Sequence, residues 1–295
     1  MTDLQQAGRM TPRAFLVLGR VSNLPTVWTN AMAGAALAGA VALNSTDWAV
    51  LILSLSLAYV GGMYLNDAFD AEIDAAERSA RPIPAGQVAR EMVFILGFGM
   101  LAAAVLLSFW LGFYAGLAGG ALAASVILYD RLHKKTALAP ILMGFCRLFT
   151  YVLAGLAAGA SSALLMIGAL GVFAHTIGLT YAAKQEAYDR VDRLWPLAVM
   201  AVPIGIGGWM LATSQVPMQI GIACLGLYAA WTIFALYRFV RRAPGDVPKG
   251  VVSLIAGIAL YDAVMLASVG APDGAIIAVG LFGLTLLLQR YVPGT

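Results

Sequence analysis

The chain alternates between long apolar runs and short polar interruptions, and the runs are of one size. A helix that crosses the roughly 30 Å hydrocarbon core needs about 20 apolar residues at about 1.5 Å per residue. Segments 14–42, 47–65, 91–110, 112–129, 138–158, 163–183, 195–213, 218–239, 250–269 and 274–290 meet that requirement. Only Gly270 to Gly274 separates the last two, so the pattern predicts nine or ten crossings. The fold class is therefore an all-α integral membrane protein, a polytopic bundle, and residues 1–295 read as a single transmembrane domain. Frequent glycine and alanine in the runs suit close helix contacts in lipid.

Composition removes the competing classes. Hydrophobic residues make up 61% of the 295 and charged residues 11%, with a mean hydropathy of +0.85. A water-soluble domain carries about twice that charge. Cys146 and Cys224 both lie within apolar runs, and there are two histidines, so neither a disulfide framework nor a Cys/His metal cluster is expected. Met1 to Pro12 reads as polar, without the apolar core of a cleavable signal, so the first span is expected to direct insertion. No basic arm points to nucleic acid.

The net charge of +3 is small, but its distribution is uneven. Arg9, Arg13 and Arg20, then Arg78, Arg81 and Arg90, then Arg131, Lys134 and Lys135, then Lys184, Arg190 and Arg193, then Arg238, Arg241, Arg242 and Lys249 fall in alternate connections. The opposite turns, near Asp47, Gly112, Ser161, Ser214 and Asp273, carry none. Positive charge is retained on the cytoplasmic side, so the amino terminus and the polar chemistry are expected there.

The second run ends in Asn66-Asp67-Ala-Phe-Asp70-Ala-Glu72-Ile-Asp74, followed by Glu77-Arg78 and then Arg81-Pro-Ile-Pro-Ala-Gly86. If the helix continues past Leu65, Asn66, Asp70 and Asp74 repeat at i, i+4 and i+8, with Asp67 joining Asp70 at i+3. Like charges so placed repel unless a cation or protons neutralise them. Oxygen ligands of this kind suit Mg²⁺, which commonly bridges to phosphate oxygens. A solvated loop is the plainer alternative. Arg78 and Arg81 are placed to meet a diphosphate, or to pair with Glu72 or Glu77.

These residues resemble the UbiA superfamily of intramembrane prenyltransferases. Its first motif, Asn-Asp-x-x-Asp-x-x-x-Asp, is matched by Asn66, Asp67, Asp70 and Asp74. Its Arg-Pro-Ile-Pro-x-Gly turn is matched by Arg81 to Gly86, and its first helix by Arg20-Val-Ser-Asn23-Leu-Pro25-Thr-Val-Trp28-Thr-Asn30. The resemblance implies Mg²⁺ as cofactor, a polyprenyl diphosphate donor and transfer of the prenyl group to a small acceptor at the cytoplasmic side. Asp67, Asp70 and Asp74 would hold the metal. The string Met143-Gly-Phe-Cys146-Arg147 and the segment Lys184-Gln-Glu186 also look like a branch with a polyhydroxylated, cyclitol-like acceptor, so the acceptor stays open between an aromatic and a polyhydroxylated one.

The second motif departs from the family pattern. Where Asp-x-x-x-Asp is usual, the chain reads Lys184-Gln-Glu186-Ala-Tyr-Asp189-Arg190-Val-Asp192-Arg193. Three readings stay open: a second metal and acceptor site built on Glu186 and Asp189 with Lys184 on the diphosphate, a loop of i,i+4 ion pairs, or a protein of reduced catalytic competence. Tyr129 matches the family's tyrosine, while the basic residue expected four positions on is displaced to Lys134, with His133 before it. Asn23 and Tyr129 are candidates for the acceptor site. Arg147 lies within a span and needs a partner or a polar cavity. Either it pairs with Asp262, or it faces the diphosphate or acceptor. A lipid or small-molecule transporter is the alternative function, disfavoured because the acids cluster at one interface instead of the midplane. A phosphatidyl-alcohol transferase lacks its own motif here.

Overall fold

A computed structural model describes residues 11–39, 43–185 and 193–294, and within them the chain is all helical with no strand. The helices are α1 (Pro12–Leu18), α2 (Leu24–Leu37), α3 (Ser45–Glu77), α4 (Arg90–Trp110), α5 (Phe113–Leu132), α6 (Ala139–Ala157), α7 (Ala163–Ala183), α8 (Ala201–Thr213), α9 (Gln219–Arg241), α10 (Asp246–Ser268) and α11 (Pro272–Leu288). Eight helical stretches among the described residues are long and apolar enough to cross a membrane, the sixth of them being α8 continued backward to Trp195 by a 3-10 turn. α11, of 17 residues, is a shorter apolar helix, and α2 has 14 residues. The ends follow local chemistry: Thr11, Asn44 and Ser162 accept from the backbone N–H three residues on, capping α1, α3 and α7.

Two elements differ from the hydropathy reading. The segment 14–42 is not one helix. Arg20 takes a left-handed backbone (φ 41°), and the 3-10 turn Val21–Asn23 separates α1 from α2. Apolar content does not register such a break, because Val21 and Leu24 are as hydrophobic as a continuous span requires. The second span, read as 47–65, continues to Glu77 without interruption. Its 33 residues amount to about 50 Å, well beyond the core thickness, so the last turns carry Asn66 to Asp74 to the membrane boundary.

α10 is almost wholly enclosed, packed by α9, α11, α2, α7 and α8. α3 lies against α4, and α6 joins the halves through α2, α5 and α7. Where α2 crosses α6 the backbones nearly touch: a Cβ at Gly34 would lie 2.6 Å from the Tyr151 carbonyl oxygen and 3.0 Å from the Ala154 Cβ. Gly34→Ala must separate these helices, and overpacking of this kind costs about 1–3 kcal/mol. A lower melting temperature in detergent is expected relative to Gly99→Ala, whose Cβ meets open space. Equal melting of the two variants would show that the crossing is not tight.

His175, in the middle of α7, is fully buried and bonded on both ring nitrogens, to the Tyr228 hydroxyl (2.8 Å) and the Leu254 carbonyl (2.9 Å). It ties α7 to α9 and α10.

Candidate active site

The continuation of α3 sets the geometry. Asn66, Asp67, Asp70 and Asp74 are all buried, although they lie in the last turns of a helix that ends at the boundary. Four acidic or amide side chains at this density require compensation, and each finds a partner, with Arg20 and Arg81 each shared by two of them. Asp67 Oδ1 accepts from Arg20 (2.9 Å) and Arg81 (3.2 Å). Asp74 Oδ2 accepts from the same Arg81 Nη1 at 2.7 Å. Asp70 Oδ2 lies 3.1 Å from His133 Nε2 and 3.9 Å from Lys134 Nζ. Asn66 donates through Nδ2 to Asp130 Oδ1 (3.1 Å), and its own Oδ1 faces Arg20 Nη2 at 3.4 Å.

The turn behind the motif accounts for the position of Arg81. Ala85 N–H bonds the Arg81 carbonyl and Gln87 N–H the Pro82 carbonyl, while Gly86 takes a left-handed φ of 70° that a side chain would strain. The turn folds back so that the guanidinium bridges Asp67 and Asp74.

A cavity of about 520 Å³ opens beside this row. On α3 it extends from Glu77 and Arg78 to Tyr59, a helical distance of about 27 Å. Of the sequence candidates, Asn66, Asp70, Arg78, Arg81, Tyr129, Lys134, Arg147, Lys184 and Asn23 all line it. Asp67 and Asp74 do not, being turned onto their arginines. Glu186 and Asp189 lie outside the described residues. Much of the remaining wall is apolar, with Met63, Met143, Leu179, Val251, Ile255 and Ile258.

The cations are distributed along the cavity. Lys184 Nζ donates to the Thr136 carbonyl (2.9 Å), and partial burial, then the charge of Lys134, lower its pKa. Tyr129 stacks on His133 with centroids 4.9 Å apart, holding the imidazole between the Asp130 carbonyl and Asp70. Asn23 is occupied with the carboxyl-terminal segment, donating to the Gly294 carbonyl (2.9 Å) and accepting from Gln289 (3.0 Å).

Arg147 lies deeper, and its contacts correct one of its two readings, the direct pair with Asp262. Its guanidinium donates to Asn30 Oδ1 (2.7 Å) and Thr26 Oγ1 (3.1 Å) and lies over the Tyr59 ring at 5.8 Å. Asn30 Nδ2 in turn donates to Asp262 Oδ2 (2.7 Å), whose other oxygen accepts from the Tyr151 hydroxyl. A neutral amide therefore stands between the two charges.

Sequence reasoning missed several cavity groups. Arg20 was read for topology and as part of the first-helix resemblance, without a site role, yet it lines the cavity and holds Asp67. Tyr59, Thr176 and Thr180 also line it, and no local pattern marks them within their apolar spans. Asp130, next to Tyr129, does not line this cavity but bonds Asn66, and it carried a signal in being an acid at the end of an apolar run.

Among the described residues no group of three or more His, Cys, Asp or Glu side chains is gathered as a metal cage. The donor set nevertheless suits Mg²⁺, which takes one or two carboxylates and completes its shell with water and phosphate oxygens. Asp70 and Asn66 offer hard oxygen atoms to the same cavity.

Comparison with known proteins extends this description. The sequence pattern of the UbiA prenyltransferase family matches residues 26–194, more than half of the chain. A digeranylgeranylglyceryl phosphate synthase of Ignicoccus hospitalis is 36% identical over 137 residues, covering 46% of this chain and 43% of that relative. The chain thus spans less than half the length of that relative. A synthase of the same name from Sulfolobus acidocaldarius is 23% identical over 244 residues, covering 78% and 87%. The fold is shared with the apo structure of a UbiA homolog from Aeropyrum pernix K1, with a TM-score of 0.69 at 17% identity over 85% of this chain and 98% of the other. It is also shared with a UbiA homolog from Archaeoglobus fulgidus bound to GPP and Mg²⁺, with a TM-score of 0.53 at 13% identity over 94% and 99%.

Proposed function

The chain belongs to the UbiA prenyltransferase family, and from that premise we propose that it is a membrane enzyme moving a polyprenyl group from a prenyl diphosphate to a small acceptor, with Mg²⁺ as cofactor. The observation that carries the proposal is one cavity in which Asn66 and Asp70 face Arg78, Lys134 and Lys184 at the polar end, while the deeper wall is largely apolar. Such a cavity fits an amphipathic donor: charged groups for the diphosphate, apolar surface for the chain. The ligands named for the Archaeoglobus fulgidus homolog, GPP and Mg²⁺, are of this chemistry.

In this reading Asp70 and Asn66 hold the metal, which when bound neutralises charge on the leaving diphosphate. Arg78, Lys134 and Lys184 bind the diphosphate oxygens and stabilise the negative charge that grows as the allylic carbon–oxygen bond breaks. Arg20 and Arg81 set the position of Asp67 and thereby of the acidic row. The apolar wall excludes water from the cationic carbon, and the acceptor attacks it with loss of a proton. The relatives named for a glyceryl phosphate product favour an aliphatic hydroxyl acceptor over an aromatic one. The basic residues at the cavity's polar end favour a cytoplasmic opening and a cytoplasmic amino terminus. Glu186 and Asp189 remain proposed as an acceptor-side or second metal site.

The test is transfer of radiolabelled prenyl groups from geranyl, farnesyl and geranylgeranyl diphosphates by membranes containing the chain, with extracted host metabolites as the acceptor pool. A labelled lipid that forms with Mg²⁺ and not with EDTA is expected. Transport of a labelled solute with no transfer from any donor would instead favour a carrier.

A further inference from the structure

Asp130 lies in the last turns of α5 and is buried at 4% exposure. One of its carboxylate oxygens accepts from Asn66 Nδ2 at 3.1 Å, and the other has no hydrogen-bond partner among the described residues. A carboxylate so placed is expensive, because burial removes its hydration and one hydrogen bond restores only part of it. A threonine, an asparagine or a backbone carbonyl would accept from Asn66 at lower cost. Asp130 also does not line the large cavity. It faces a separate space of about 80 Å³ between α2, α3, α5 and α6, behind Tyr129 and Met143. Its reach into the large cavity is therefore through Asn66.

An asparagine amide has a donor end and an acceptor end, and only the acceptor end can ligate a cation. Asn66 has no neighbour on α3 that decides between them. Asp130 does decide, because a carboxylate accepts only and so takes the NH₂ group. The carbonyl oxygen is then left on the cavity side, where it faces Arg20. The His133 imidazole, anchored on the Asp130 backbone carbonyl at 3.2 Å and touching Asp70 at 3.1 Å, couples the same turn of α5 to the neighbouring aspartate.

We propose that Asp130 is a positioning residue: by binding the amide nitrogen of Asn66 it fixes the Asn66 carbonyl oxygen toward the cavity, as a ligand for the divalent cation. The inference rests on the proposed prenyl transfer. It goes beyond that reading in assigning a role on α5 to a residue that touches neither donor nor metal.

The test measures the Mg²⁺ concentration for half-maximal equilibrium binding of a non-hydrolysable geranyl thiodiphosphate to the purified full chain, beside that for half-maximal prenyl transfer with kcat and the donor KM in membranes. Asp130→Leu is expected to raise the Mg²⁺ requirement at least ten-fold, since the amide is then held in that orientation only by the long 3.4 Å contact from Arg20. Asp130→Asn, whose own amide oxygen still accepts from Asn66, is expected to recover most of that loss. In the exchange pair, Asn66→Asp alone places two carboxylates in contact, and adding Asp130→Asn restores a donor–acceptor pair with an oxygen toward the cavity. The exchange is expected to be more active than Asn66→Asp alone. An unchanged Mg²⁺ requirement in Asp130→Leu would overturn the proposal, as would Asp130→Asn being as impaired as Asp130→Leu. Should Asp130→Leu fail to accumulate, the exchange decides: rescue supports the proposal and absence of rescue overturns it. Failure of the underlying reading appears differently, as absence of Mg²⁺-dependent transfer in the wild type, and overturns both.

Discussion

Asp70→Ala is expected to lower Mg²⁺-dependent prenyl transfer by about 10²–10³-fold or more, the loss typical of removing one group that stabilises developing charge. The expectation is specific to its place. Asp70 lines the cavity, whereas Asp67 and Asp74 are turned onto Arg20 and Arg81. Removing Asp70 deletes an oxygen donor and frees His133 and Lys134, without undoing the ion pairs that hold the Arg81 turn. The protein is therefore expected to stay folded while activity is lost. Asp74→Ala releases one of the two carboxylates on Arg81, and its effect should include local loosening of residues 78–86. Melting temperature in detergent beside turnover separates the two: Asp70→Ala keeps the first and loses the second. Equal turnover losses with equal melting shifts for Asp70→Ala and Asp74→Ala would contradict the distinction.

The second large effect is on stability. Asn30→Leu removes the amide that links Arg147 to Asp262, leaving a guanidinium and a carboxylate inside the bundle with their shared partner gone. Leaving a buried polar group without its hydrogen-bond partner costs about 1–3 kcal/mol, and more where the group is charged. Asn30 and Asp262 are fully buried, and the Tyr151 hydroxyl and Thr26 cover only part of the need. α2, α6 and α10 meet at this network, so its loss is expected to reduce folded, monodisperse protein in detergent sharply. A wild-type melting temperature in Asn30→Leu would mean that Arg147 and Asp262 find each other directly when the amide is absent.

The sequence carries much of this organisation, for physical reasons that also mark where it stops. Helix existence follows from the length of apolar runs, and nearly every expected span has a helix within it. The register of Asn66, Asp70 and Asp74 was readable because the spacing of four has one meaning on a helix, and α3 does continue through them. The interruption at Arg20 was not, since it resides in a backbone torsion that hydropathy does not report. The Arg147–Asp262 relation shows the same boundary from the side of chemistry. Two isolated charges in apolar spans point to a common network, and they are in one, but an asparagine between them has no charge to announce itself. Asp67 and Asp74 illustrate competition for one set of acids: the motif offers them to a metal, and in the structure Arg20 and Arg81 hold them. Long-range partners such as His133 for Asp70, 63 residues apart, depend on the packing of α5 against α3, which no local pattern encodes.

The central claim is that the cavity beside α3 binds a prenyl diphosphate through Mg²⁺ and the row headed by Asn66. Its most direct test is equilibrium binding of a non-hydrolysable geranyl thiodiphosphate to the purified full chain, titrated with Mg²⁺ and again in EDTA, for wild type and Asp70→Ala. The account predicts saturable binding that needs Mg²⁺ and is lost in Asp70→Ala. Binding of equal strength in EDTA, or undiminished in Asp70→Ala, would contradict it.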